Sequence, residues 1–174
     1  LVVLETGLGG LEDATNVVKT TVMEVITSIS MDHMGILGNT LAEIAANKAG
    51  IIKPQTAVVS VRQHPEAMEV IETVCRREEC RLFVADTGQA SAIRYGWETQ
   101  SFHYKEYENL KIFLGGAYQI ENAALAVEAV RTLNKLGYSI MEEQLRRGLE
   151  KTRWRGRFTV LSKEPVFIID GAHN

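Results

Sequence analysis

Apolar residues run unbroken through positions 1–4, LVVL. So short and continuous a run does not suit an amphipathic helix and predicts a strand covered on both faces. Residues 21–29, TVMEVITSI, are rich in β-branched side chains and predict a second strand, one that leads to Asp32 and His33 at its carboxyl end. Thr40 and Glu43 have the T-x-x-E spacing of a capping box ahead of a helix. Leu41, Ile44, Ala45 and Lys48 share one face of that helix, Gly50 suits its C′ position and Pro54 bars continuation. A third strand is expected at 56–61, a helix at 65–77 and a short strand at 81–84. This alternation predicts an α/β fold, a mostly parallel sheet with flanking helices. The texture then changes. Residues 93–104 and 110–114 read as antiparallel strands, a small β region that holds much of the aromatic content. A long alanine-rich helix at 118–136, closed by Gly137, and another at 140–149 follow. A linker at 153–164 and a new strand at 166–170 complete the pattern.

Composition narrows the class. The 174 residues are 45% hydrophobic and 24% charged, with a net charge of −3. That balance offers no electrostatic case for nucleic acid or an anionic membrane. No stretch reaches the ~20 apolar residues of a membrane span. Cys75 and Cys80 lack a neighbouring His or further Cys, so they predict reduced structural thiols and a cytoplasmic protein. The chain opens in mid-strand without Met and closes on DGAHN directly after a strand, which leads us to expect an internal piece of a longer protein.

Six clusters carry candidate chemistry. In ETGLGG, Glu5 to Gly10, a carboxylate follows an apolar run and three glycines permit a sharp turn or close approach to a ligand. Asp32-His33 is expected at the carboxyl edge of the sheet, where open α/β folds bind ligands. Glu5 and His33 on that edge make Mg²⁺ a competing reading beside plain structural roles. Lys48 reads as a solvated residue in a last helical turn or, from its place on the apolar face, as a half-buried amine open to modification. Asn122 lies one turn into a helix, Arg157 lies in WRGRF, and Asp170 and His173 lie in DGAHN. Arg, Asp and His at a domain junction would suit a nucleotide. No G-K-[ST] occurs, so the chain holds no complete phosphate loop.

In this order, the clusters resemble the folylpolyglutamate synthase/dihydrofolate synthase branch of the Mur ligase superfamily. The family's E-x-G-L-G-G-x-x-D-A-T-N matches Glu5 to Asn16. Its T-S-I-x-x-D-H-x-x-x-L-G matches Thr27 to Gly38, and its K-A-G-I matches Lys48 to Ile51. Asn122 with Ala123 and Ala124, then G-R-F and D-G-A-H-N, complete a series that covers nearly the whole chain. The resemblance implies an N-terminally truncated central ATP-binding domain at 1–152, an interdomain linker at 153–164 and the first strand of a C-terminal domain at 165–174. It implies an ATP-dependent ligase that joins L-glutamate to folate or dihydropteroate through an acyl phosphate, with this piece inactive by itself. Glu5 and His33 would hold Mg²⁺. Lys48, carbamylated, would act catalytically beside His33, with Asp32 as its support. Asn122, Arg157, Asp170 and His173 would bind ATP, and Asp13 and Ala14 would line the pterin pocket. A cytoplasmic monomer is the expected parent. The family usually has Arg-Leu where Leu11-Glu12 stands, and W-P-G-R where Arg155 replaces Pro. The alternatives are a peptidoglycan Mur-type amino-acid ligase and a non-catalytic nucleotide-binding module.

Overall fold

The computed structural model describes residues 1–171. Two compact units divide the chain, one over residues 1–85 and one from Asp86 onward.

In the first unit β1 (Met23–Ile26), β2 (Ala57–Val61) and β3 (Arg81–Ala85) form a parallel sheet in that spatial order. The crossovers are α1 (Leu41–Ala49) and α2 (Pro65–Arg77). The central strand β2 is buried at every position, as a strand covered on both faces must be. Ile26, Ile29, Leu37, Ile44, Val58 and Ile71 close the core between sheet and helices. Pro65 stands in the first turn of α2, where its missing N–H costs nothing. Thr40 caps α1 by accepting from the Glu43 N–H at 3.1 Å. Glu43 does not complete the box on Thr40. Its carboxylate accepts from the Asn39 N–H at 2.6 Å, one residue earlier. Gly50 keeps a right-handed φ of −61°. Its lack of a side chain serves close packing instead, because a Cβ there would lie 2.7 Å from Leu11 Cα.

Two expectations in this unit change. Leu1–Leu4 are exposed and enter no ladder among the described residues. A doubly covered strand needs neighbours, and none of the three strands pairs with this segment. The expected strand at 21–29 ends at Ile26, because its ladder with β2 ends at the Ile26–Ser60 pair. Asp32 and His33 therefore stand on a loop beyond the strand.

In the second unit β4 (Ala90–Arg94), β5 (Gln100–Tyr104) and β6 (Tyr107–Ile112) form an antiparallel sheet. The expected strand at 93–104 divides around residues 95–99. Helices α3 (Tyr118–Lys135) and α4 (Glu142–Lys151) pack on it, burying Phe102, Tyr104, Leu110, Ile120, Val127 and Leu145 together. Gly137 ends α3 with φ +96°, as its position predicts. The buried Glu128 carboxylate accepts from Lys105 at 2.6 Å and from Arg131 at 2.9 Å, so its charge is paired on two sides. Burial pushes the Tyr104 hydroxyl up to about 12. Residues 159–163, expected as linker, form β7 (Thr159–Lys163), which pairs antiparallel with β8 (Val166–Ile169). The strand expected at 166–170 thus has a neighbour in the chain itself.

Candidate functional site

The glycine-rich segment after Glu5 folds against the carboxyl end of α1. Gly9 has φ +67°, and a Cβ on it would lie 2.7 Å from Leu37 Cδ2 and closer still to the Asn47 carboxamide. A Cβ on Gly10 would lie 2.7 Å from the Lys48 carbonyl oxygen. Only glycine lets this backbone come so near the helix. The Leu11 N–H donates to the Asn47 carbonyl at 2.9 Å. Asn16 holds the same junction, its amide donating to the Leu11 carbonyl at 2.9 Å and the Gly50 carbonyl at 3.2 Å. Its amide oxygen accepts from Lys53.

Asp13 is the fastener of this loop. One carboxylate oxygen accepts from the Gly7 and Leu8 N–H groups at 2.8 and 2.9 Å. The other accepts from the Thr15 N–H at 2.9 Å and the Thr15 hydroxyl at 2.6 Å, capping the 3-10 turn Ala14–Val17. The Thr15 hydroxyl, then the Leu8 and Thr15 amides, hold its carboxyl well below the usual carboxylate range. Asp13 and Ala14, expected beside a pterin, belong to this loop and its turn.

A recess of about 140 Å³ opens where the loop, the segment after β1 and α1 meet. Thr6 to Gly9 line one side, Ser28, Ser30, Asp32 and His33 another, and Lys48 with Leu37 a third. The expected gathering of His33 and Lys48 is therefore present. His33 takes a left-handed φ of +53°. Its N–H donates to Asp32 Oδ1 at 2.8 Å, and its ring Nε2 lies 3.5 Å from Asp32 Oδ2. Asp32 thus holds the His33 backbone by a hydrogen bond and lies beside its ring. Glu5 is exposed, one residue before the lining at Thr6. It follows a segment outside the sheet, so the reading of Glu5 and His33 as neighbouring strand ends does not hold.

Among the described residues no three His, Cys, Asp or Glu side chains converge as a metal cage. The donor chemistry of the recess nonetheless fits one kind of ion. The Asp32 carboxylate and the hydroxyls of Ser28 and Ser30 are oxygen donors of the kind Mg²⁺ takes, few in number because that ion keeps several waters, while the His33 imidazole is the softer, less usual member of the set. Ser28 and Ser30 escaped the sequence reading. The alternation Ser28, Ser30 about the buried Ile29 is a period-two signal that places the two hydroxyls on one side. A tight turn at Met31, closed by the Asp32 N–H on the Ser30 carbonyl at 2.8 Å, brings Asp32 to the same recess.

Asn122, Arg157 and Asp170 all lie in the second unit. Asn122 is exposed on α3, and its amide donates to Gln119 Oε1 at 3.1 Å. The turn before α3 is held by Gln100, whose amide donates to the Leu114 and Gly116 carbonyls at 2.7 and 2.8 Å. A Cβ on Gly115 would collide with the Phe158 ring, so the G-R-F segment seats against this turn. The Gly171 N–H donates to the Gly156 carbonyl at 2.6 Å, and Arg157 reaches the Gly171 carbonyl at 3.5 Å. The turn before α3, the WRGRF segment and the residue after Asp170 are thereby linked within one unit. The Arg157 guanidinium lies 5.4 Å from the Trp154 ring centre. Both border an open recess of about 490 Å³, with Trp97, Phe113 and Arg155, a volume in the range of small-molecule sites. Trp97 and Phe113 carried no motif that would have singled them out. His173 lies outside the described residues.

Comparison with known proteins follows the same outline. The model of the Mur ligase middle domain matches residues 1–130. The dihydrofolate synthase/folylpolyglutamate synthase of Bacillus subtilis is 41% identical over 99% of this chain, which spans 41% of that relative's length. A solved complex of folylpolyglutamate synthase with AMPPCP and folate superposes with a TM-score of 0.88 at 30% identity, over 98% of this chain and 43% of that one. The Mycobacterium tuberculosis folylpolyglutamate synthase, solved with ADP and AMPPCP, gives 0.81 at 30% identity, over 97% of this chain and 40% of that one.

Proposed function

Because the chain belongs to the Mur ligase middle-domain family, we propose that its parent is an ATP-dependent ligase joining L-glutamate to a carboxylate of folate or dihydropteroate. The observation that carries the reading is the polar recess in which Asp32, His33 and Lys48 meet a glycine loop. The names of the relatives, and the folate and ATP analogue bound in one of them, support it. In this reading residues 1–152 are the central ATP domain, 153–164 a linker and 165–174 the opening of a further domain, all within a cytoplasmic monomer.

The chemistry needs two steps. A substrate carboxylate oxygen bonds to the γ-phosphorus of ATP as the bond to ADP breaks. The amine of glutamate then attacks the acyl carbon, phosphate leaves and the amine proton is lost to a base. Phosphoryl transfer of this kind depends on positioning and charge stabilisation. Mg²⁺ held by His33 with Glu5 would supply charge neutralisation at the phosphates. Asp32, 3.5 Å from the His33 ring, would help to orient it. Lys48, as its carbamate, would present a carboxylate-like group to the recess in place of a cation. Asn122, Arg157, Asp170 and His173 would bind ATP, the Arg157 guanidinium suiting a phosphate. Asp13, spent on the glycine loop, would set the pterin wall through that loop and through Ala14.

The test uses the complete protein with ATP, Mg²⁺ and either dihydropteroate or tetrahydrofolate. Phosphate release is expected to require both glutamate and the pterin substrate. Lys48→Ala should abolish it, and Lys48→Arg should not restore it, because a guanidinium does not form a carbamate. Full activity in the Arg variant would remove the carbamate, and glutamate-independent ATP turnover would remove the ligase.

A further inference from the structure

Among the described residues, the segment that lines the recess pairs with no neighbouring strand. The β1–β2 ladder ends at the Ile26–Ser60 pair. On its other side β2 stays paired with β3 to its end, the Arg62 N–H donating to the Ala85 carbonyl at 3.1 Å. Residues 27–30 nevertheless keep fixed sides, up to a tight turn at Met31 closed by the Asp32 N–H on the Ser30 carbonyl at 2.8 Å. Ile29 is buried in the core, while Ser28, Ser30 and Asp32 line the recess.

The side chain of Gln63 fills the gap. Its Oε1 accepts from the Ile29 N–H at 2.9 Å, and its Nε2 donates to the Thr27 carbonyl at 2.8 Å. These two bonds bracket Ser28 as the N–H and C=O of a neighbouring parallel strand would. The amide is itself oriented, because Nε2 also donates to Ser60 Oγ at 3.0 Å, and Ser60 Oγ donates to the Val61 carbonyl at 2.9 Å. Gln63 is 8% exposed and Ser60 is fully buried. A buried amide with its oxygen and nitrogen so assigned has no second arrangement of equal quality.

We propose that Gln63 is a positioning residue of the recess, its amide acting as a one-residue strand that holds Ser28, Asp32 and His33 in register opposite Lys48. The proposal rests on the ligase reading for its catalytic consequence and on the hydrogen bonds alone for its structural one. Gln63 touches no reacting atom. Its effect passes through the placement of the segment, where a displacement of about 1 Å can cost on the order of 100-fold in rate.

Two variants of the complete protein test this. Gln63→Met removes both bonds at similar volume, and Gln63→Glu keeps an acceptor for Ile29 but loses the donor to Thr27. Three quantities are read: kcat and KM for ATP-dependent glutamate addition, amide hydrogen exchange resolved at Ile29 and in β2, and the thermal midpoint. The expected result is a kcat lower by roughly 10- to 100-fold in Gln63→Met, KM for ATP within about threefold, and a smaller loss in Gln63→Glu. Ile29 exchange should rise at least about tenfold in Gln63→Met while β2 stays protected, as local opening predicts. Unchanged Ile29 exchange in Gln63→Met would overturn the proposal. So would faster exchange at Ile29 with kcat unaltered, or a uniform rise across β2 with a collapsed thermal midpoint. If the unaltered protein adds no glutamate, the ligase reading fails, and the exchange arm still decides whether Gln63 holds the segment.

Discussion

Asp13 shows how much one side chain can settle. Its carboxylate takes four hydrogen bonds, two from the glycine loop and two from Thr15. Asparagine keeps one oxygen but replaces the other with a donor, so two of the four donors lose their acceptor. Asp13→Asn is expected to lower the thermal midpoint at pH 7. The sign of the pH dependence follows from the depressed carboxyl. Stability contributed by a lowered carboxyl is fully present above the unfolded value near ~3.9 and is lost as pH falls through the folded one. The gap between wild type and variant should therefore be full at pH 7 and narrow below about pH 4. Melting curves from pH 3 to 7 check this, and a gap independent of pH would contradict it. The sequence announced Asp13 as part of a motif, but it could not say that the carboxylate is consumed internally. That depends on where Gly7 and Leu8 turn.

At the scale of elements, the loop and α1 act as one piece. Gly9→Ala should destabilise the first unit by about 1–3 kcal/mol, the cost of a left-handed non-glycine residue with a clash added. Denaturant unfolding measures it, and a neutral substitution would show that the loop moves freely from Asn47 and Leu37. Much of this level was legible beforehand. The apolar spacing and Pro65 gave α2 the limits it has, and Thr40 marked the start of α1. The errors share a cause. β1 was read too long because TSI has strand character, while its end is set by where the ladder with β2 stops, at the Ile26–Ser60 pair. Leu1–Leu4 look like a buried strand by pattern, yet a strand exists only where another pairs with it. β7 was missed because TVLSK, mixed in polarity, lies in what read as linker; its pairing with β8 makes it a strand.

At the scale of the molecule, the parallel α/β unit and the antiparallel unit each assemble part of the candidate machinery. The first holds His33, Lys48 and the glycine loop. The second holds Asn122, Arg157 and Asp170, with the WRGRF segment tied to the turn before α3 by Gly115 and to Gly171 by Gly156. What sequence could not supply were the residues that only support others, such as Gln100 and Gln63, because a buried amide carries no pattern until its neighbours are known. The claim joining both units is that a substrate carboxylate attacks ATP and is activated as an acyl phosphate. It is tested most directly by ¹⁸O in that carboxylate, with the complete protein, ATP and glutamate. If the acyl phosphate forms, each phosphate released carries one ¹⁸O from the substrate, and the new amide retains the other oxygen. Phosphate released without label, beside an amide formed at the same rate, would contradict the account.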